Sequence, residues 1–267
     1  MTSATILAAG VSAAHTRLSA ARASGVPGPP VRDLLPAGDV ASAYAVQSAW
    51  VAGRLASGVR VVGRKIGLTS PVVQAQLGVD SPDFGVLLGD MGYPDGGVVP
   101  AGLLLQPRIE AEVVFVLGRD LDQAAPSERD VVAATATVGA ALEIVDSRIA
   151  GWDINLLDTI ADNASAGAFV LGAAPRPLDL DLAGCTMRMR RNGAVVSTGA
   201  GSACLGSPVR AVAWLAATAY ELGRPLRAGD VVLSGALGPM VDAAPGDVFD
   251  ADIDGLGAVS ISFGAPR

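Results

Sequence analysis

Lysine is almost missing from this chain. Of its 19 lysine and arginine residues, only Lys65 is a lysine. Histidine is just as scarce, with His15 the only one. A Ser-His-Asp triad or a histidine-rich zinc site would have to be built on His15, which lies in a stretch that reads as a surface helix. The two cysteines, Cys185 and Cys204, lack metal-ligand spacing, and nothing implies an oxidising compartment. Two buried thiols are expected. Basic charge is short as well. A net charge of -7 argues against a nucleic-acid surface. No apolar run reaches the length of a membrane span. Met1 to Gly10 lacks a basic leader and a cleavage site, so no signal peptide is expected and the cytoplasm is the expected location.

What is present is a core-rich composition. Half of the 267 residues are hydrophobic (51%) and 17% are charged, which suits one large domain or one domain plus a small one. Arginine replaces lysine at most solvated positions, but not where the group must release a proton. A single surviving lysine is therefore a candidate for proton transfer. Lys65 sits in the predicted strand Val61–Leu68, between Gly63 and Gly67. Burial there would lower its pKa and suit it to acid–base work.

The N-terminal part reads as helical. A helix over Thr5–Arg22 runs into the breaker Gly25–Pro30. Asp39 can cap a second helix carrying Val40, Tyr44, Val51 and Leu55, ended by Gly58. From Val59 short β-rich runs dominate, which predicts a helical segment 1–58 followed by a mixed α/β domain 59–267. A short helix is expected over Pro71–Leu77, then a loop over Asp80–Gly85. Asp83 in that loop is either a turn former or a site acid. Further helices are expected over Pro126–Val138 and after Ser207-Pro208, and strands over Ala140–Arg148, Val231–Ala236 and within Gly246–Phe263. The polar stretch Asp158–Gly167 could line a pocket or be a loop. Gly199–Gly206 is glycine-rich but lacks the dinucleotide-binding spacing.

The chemistry gathers at Gln106–Gly118. From Glu110 this stretch reads as a strand, so Glu110 and Glu112 point the same way, about 7 Å apart. Two such carboxylates repel, and a hard divalent cation such as Mg²⁺ or Mn²⁺ is the simplest partner. The alternative is a solvated edge strand with two exposed glutamates. Glu143 and Asp146, three apart on the next acidic strand, face opposite sides. At most one can join the pair, and spacing does not choose between them.

Six stretches together resemble one family. They are Gly63–Thr69, Gln76–Gly85, Arg108–Glu112, Glu143–Ile149, Asp162–Ser165 and Gly235–Met240. The chain is similar to the 2-keto-4-pentenoate hydratases (2-hydroxypenta-2,4-dienoate hydratases). These belong to the hydratase and decarboxylase branch of the fumarylacetoacetate hydrolase superfamily. The match runs from about residue 30 to the C-terminus; the N-terminal helices match less closely. The resemblance implies an α/β (mixed α+β) fold, a mixed β-sheet roll or barrel with flanking helices. It implies Mg²⁺ or Mn²⁺ held by Glu110, Glu112 and Glu143, and so selects Glu143 over Asp146. It also implies that Lys65 and Asp83 are the catalytic pair and that Ser165 contacts substrate. The implied reaction adds water to 2-hydroxypenta-2,4-dienoate, giving 4-hydroxy-2-oxopentanoate, in meta-cleavage breakdown of aromatic compounds. Rival readings on the same scaffold are a 4-oxalocrotonate decarboxylase, with Arg148 or Arg188 facing a second substrate carboxylate, and a dicarboxylate hydratase. A non-catalytic partner subunit fits poorly with retention of Lys65 and all three glutamates. A homo-oligomer is expected, with a pathway aldolase or decarboxylase as a further partner, and no nucleic acid or membrane.

Overall fold

A computed structural model of the chain describes residues 3–70, Gln74 and 81–265. Two helices open it, α1 (Ser3–Ser24) and α2 (Val40–Ala56). The Asp39 side chain accepts from the Ser42 N–H and caps α2, as its position before an apolar run predicts. The expected helix Pro71–Leu77 lies outside the described residues apart from Gln74.

Thirteen strands follow among the described residues: β1 (Val61–Gly67), β2 (Asp83–Leu88), β3 (Gly92–Tyr93), β4 (Gly97–Val99), β5 (Pro107–Leu117), β6 (Thr135–Asp146), β7 (Ala166–Leu171), β8 (Thr186–Arg191), β9 (Ala194–Ala200), β10 (Val231–Ala236), β11 (Val241–Asp242), β12 (Val248–Ile253) and β13 (Gly257–Phe263). Three more helices are interspersed: α3 (Glu128–Ala134), α4 (Leu156–Ala161) and α5 (Pro208–Glu221). The larger sheet runs β2-β1-β10-β5-β6-β7-β3, with β11 added alongside β5. Its pairings are mixed: β1 is parallel to β10 and antiparallel to β2. The smaller sheet runs β4-β13-β12-β8-β9. This is the mixed α/β sheet architecture with flanking helices that was expected.

Local signals that are complete within a few residues hold. Ser207 caps α5 with Pro208 at its first position, and Val209, Val212, Leu215, Ala216 and Ala219 are buried. Val259, Ile261 and Phe263 alternate inward along β13. Both cysteines are buried and free. Three boundaries differ. The helix expected to reach Val138 stops at Ala134, because the β-branched Thr135, Thr137 and Val138 pair along β5 instead. Asp83-Phe84-Gly85 is not loop but the start of β2, a strand buried throughout, so the turn chemistry ends at Pro82. The polar stretch Asp158–Gly167 is the end of the short helix α4, a tight turn and the start of β7. The β8–β9 hairpin was not foreseen, although Asn192-Gly193, both at positive φ, is a hairpin-turn pair.

Between α4 and the main sheet lies a buried ion pair. Arg148 Nε donates to Asp162 Oδ1, and its Nη1 donates to the Ala166 carbonyl at 3.0 Å. Burial pushes the Asp162 carboxyl pKa up, and Arg148 opposes that. Arg148→Met should therefore cost about 3–5 kcal/mol in urea denaturation, since it strands a buried carboxylate. Ser207→Ala, which removes only a cap, should cost about 1 kcal/mol.

Candidate active site

Five of the six sequence-predicted site residues lie on strands of the larger sheet, and the sixth, Ser165, lies in the turn just before β7. In sheet order the five are Asp83 on β2, Lys65 on β1, Glu110 and Glu112 on β5, and Glu143 on β6. The β5–β6 register sets Glu110 directly opposite Glu143. The β1–β2 register sets Gly67 opposite Asp83, one alternate position from Lys65. Lys65 and Glu143 stand three strands apart, which would be about 14 Å in a flat sheet. Their side chains nonetheless meet, with Lys65 Nζ at 2.9 Å from Glu143 Oε1. The sheet is curled, and its side chains converge from facing walls.

Glu110, Glu112 and Glu143 are all buried, and each offers a carboxylate oxygen within 4.8 Å of the others. The solvated edge-strand alternative is thus excluded: β5 is flanked on both sides by paired strands. Asp146 points away, its Oδ1 accepting from the N–H groups of Leu105 and Gln106 at 2.8 and 2.7 Å. Glu112 Oε2 accepts from the Gly235 N–H at 2.6 Å. Among the described residues, Glu112 Oε1, both Glu143 oxygens, Asp83 Oδ1 and Ser165 Oγ are buried without a hydrogen-bond partner. Of these, Glu143 Oε1 has the close charge pair with Lys65 Nζ.

Protonation follows from this crowding. Burial, and next the charge of Glu143, lift the Glu110 carboxyl to about 7. The same two causes lift Glu112 well above the ordinary carboxylate range. Asp83 is raised by burial, against the pull of Lys65 and of Thr159, whose hydroxyl donates to Asp83 Oδ2 at 3.0 Å. Lys65 departs from expectation. Burial does pull its pKa down and is the largest single influence, but Glu143, Asp83 and Glu110 together outweigh it, so the ammonium is held charged.

Gly67, which flanks Lys65 in the sequence, is a point of close approach, since a Cβ there would overlap Asp83 Oδ1. Two supporting residues escaped the sequence reading, Thr159 and Gly235. At φ 104° Gly235 interrupts the β10 ladder, and a Cβ there would overlap Thr69. Glycine between two β-branched or site-bearing runs was the available signal. His15 lines a small pocket with Arg22, Trp50 and Asp162, and none of the three glutamates lines it. A wider cleft of about 490 Å³, lined by residues that include Gln106, Arg108 and Trp152, contains none of the three glutamates.

Comparison with known proteins gives a consistent set. Residues 78–263 match the fumarylacetoacetate (FAA) hydrolase C-terminal family. A 2-keto-4-pentenoate hydratase of Paraburkholderia xenovorans is 56% identical over 243 residues, 90% of either chain. 2-Keto-4-pentenoate hydratase 1 of Dechloromonas aromatica is 55% identical over 252 residues, covering 94% of this chain and 96% of that one. Among solved structures, a 4-oxalocrotonate decarboxylase from Pseudomonas putida G7, complexed with magnesium and adipate, superposes with a TM-score of 0.91 at 35% identity over 98% of each chain.

The raised carboxyls fix a pH dependence for the metal-free protein. Folding takes up protons that the unfolded chain, with ordinary carboxyl pKa values, does not hold. The resulting stability is complete below about pH 4. It is lost as pH rises through about 7, where Glu110 ionises. In EDTA the melting temperature should accordingly fall from pH 5.5 to pH 7.5, and Glu110→Gln should flatten that fall. A slope of opposite sign would overturn the assignment of raised carboxyls.

Proposed function

The chain belongs to the fumarylacetoacetate hydrolase family, and from that premise we propose that it is a hydro-lyase adding water to 2-hydroxypenta-2,4-dienoate. The observation that carries the reading is the buried triad Glu110, Glu112 and Glu143 beside the one lysine of the chain, in a sequence 55–56% identical to 2-keto-4-pentenoate hydratases. The catalytic unit in this reading is the domain 59–267, preceded by the helical segment 1–58. A cytoplasmic homo-oligomer working in meta-cleavage breakdown of aromatic compounds, alongside a pathway aldolase or decarboxylase, belongs to the same proposal. No helix among the described residues is long and apolar enough to cross a membrane.

The donor set fits a hard divalent cation. It is made wholly of carboxylate oxygens, and three oxygens of Glu112 and Glu143 are buried with no hydrogen bond to replace a ligand. Glu110, Glu112 and Glu143 would hold Mg²⁺ or Mn²⁺, which supplies Lewis-acid polarisation to a 2-oxo acid. The remaining chemistry is proton movement by the chain. A proton leaves the 2-hydroxyl and one arrives at C5; then the oxygen of water joins C4 and one of its protons joins C3. Lys65 and Asp83 carry these transfers. Thr159 occupies Asp83 Oδ2, so the exchangeable proton of Asp83 belongs on Oδ1, the atom that Gly67 leaves room for. A cation held by the glutamates would offset part of the negative charge that keeps Lys65 protonated, and so would lower its pKa towards the range useful for transfer. Ser165, whose buried hydroxyl has no hydrogen-bond partner among the described residues, binds substrate in this reading.

The decarboxylase reading draws support from the likeness to 4-oxalocrotonate decarboxylase. It needs an arginine for a second carboxylate. Arg148 is committed to Asp162 and to the Asp146 and Ala166 carbonyls, and Arg188 is exposed on β8 in the smaller sheet. This placement favours a substrate with one carboxylate.

The deciding experiment is ultraviolet absorbance of 2-hydroxypenta-2,4-dienoate with Mg²⁺ and again after chelation. Loss of the diene band that chelation abolishes, with 4-hydroxy-2-oxopentanoate formed, is expected; CO₂ release from 4-oxalocrotonate instead would make the protein the decarboxylase. Lys65→Ala should lower kcat by about 10²–10⁴-fold while Mn²⁺ affinity is kept. Glu112→Gln should weaken Mn²⁺ binding and activity together; unchanged affinity would move the ligand set elsewhere.

A further inference from the structure

Immediately before β7, three successive residues other than glycine lie in the left-handed region: Asn163 (φ 57°), Ala164 (φ 50°) and Ser165 (φ 53°). Each such residue costs about 1 kcal/mol or more, so surrounding structure must enforce the turn. The enforcing contact is at Asn163, which is 2% exposed. Its Oδ1 accepts from the Val86 N–H at 2.8 Å, and its Nδ2 donates to the Val86 carbonyl at 3.0 Å. One carboxamide thus satisfies both backbone groups of one strand residue. A neighbouring β-strand makes the same pair of bonds in a ladder.

The location explains why a substitute strand is needed. Among the described residues, β2 ends the main sheet and has β1 as its one ladder partner. After Leu88 the chain turns through Gly89–Met91 into β3, which pairs with β7 at Phe169 and Val170. The curled sheet is therefore closed at that end by a regular ladder. At the other end, between β2 and the start of β7, side-chain amides close it: Asn163 on Val86, and Gln47 of α2 on the Phe84 carbonyl at 2.9 Å. Gly85 lies between the two, and a Cβ there would overlap the Asn163 carbonyl oxygen. This amide-closed end is where Asp83 and Ser165 sit, one on each side of the seam.

We propose that Asn163 is a positioning residue for the reaction. Its carboxamide stands in for the missing strand at the seam and fixes the Asp83 carboxyl and the Ser165 hydroxyl relative to each other. Asn163 acts through these two groups, because both ends of its amide are spent on Val86. The proposal rests on the hydratase reading for the identity of the reaction. A displacement of about 1 Å between a catalytic acid and a substrate-binding group costs on the order of 10²-fold in rate.

The test compares Asn163→Ala and Gly85→Ala with the wild-type holoenzyme loaded with Mn²⁺. Gly85→Ala keeps every polar side chain and pushes on the Asn163 backbone, so it decides the matter if Asn163→Ala fails to fold. Four quantities are read: kcat and KM on 2-hydroxypenta-2,4-dienoate, the Mn²⁺ dissociation constant, and hydrogen exchange of the Val86 amide against that of Val114 in β5. The expected result is a kcat about 10²-fold lower, with KM and Mn²⁺ affinity unchanged and exchange accelerated at Val86 but not at Val114. Wild-type kcat, unaltered Val86 exchange, or Mn²⁺ affinity falling in step with kcat would each overturn the proposal, the last because it marks general loosening. Faster Val86 exchange in variants of a wild-type protein that leaves the dienoate untouched would overturn the hydratase reading alone.

Discussion

Four buried carboxyl groups, those of Asp83, Glu110, Glu112 and Glu143, face one buried ammonium, that of Lys65. Buried charge of one sign is tolerated only when it is paired, hydrogen-bonded or neutralised by protons. All three remedies are used here. Lys65 pairs with Glu143; the Gly235 N–H and the Thr159 hydroxyl each take one oxygen; burial lifts the proton affinity of Glu110, Glu112 and Asp83. What is left over is a set of buried oxygens with no partner among the described residues. Such a site is costly when empty of counter-charge and well suited to accept a dication.

The rest of the frame serves this constraint. Bringing Lys65 to Glu143 across three strands requires a curled sheet, and curling brings the β2 edge close to β7. The walls must also approach closely, which explains glycine at 67 and 235, where a Cβ would overlap Asp83 and Thr69. α2 is tied in as well, since Gln47 reaches both the Phe84 carbonyl and the Ile160 carbonyl. It thereby joins the strand that carries Asp83 to the helix that carries Thr159.

Much of the secondary structure was legible because its causes are local. Asp39, Ser127 and Ser207 cap their helices through groups two or three residues away. The edges that failed have distant causes. Thr135 leaves the helix because Leu117 waits for it on β5, and Asp83 is strand because Gly67 is its partner. The site was legible in the same uneven way. A single lysine and a Glu-x-Glu spacing are visible in any reading of the chain. The Asn163–Val86 and Thr159–Asp83 contacts span 77 and 76 residues, and no spacing announces them.

The sequence by itself determined the inventory: one lysine, no useful histidine, two glutamates on one strand face and a family resemblance that named their companions. Those are properties of composition and of period-two geometry, and they survive any folding of the sheet. The tertiary structure decided what the groups do to one another. It spent Asp146 on the N–H groups of Leu105 and Gln106, and it turned Lys65 from a lysine that burial would discharge into one that three carboxylates keep charged. The physical reason is that charge interactions depend on distance through space, and only curling of the sheet sets that distance.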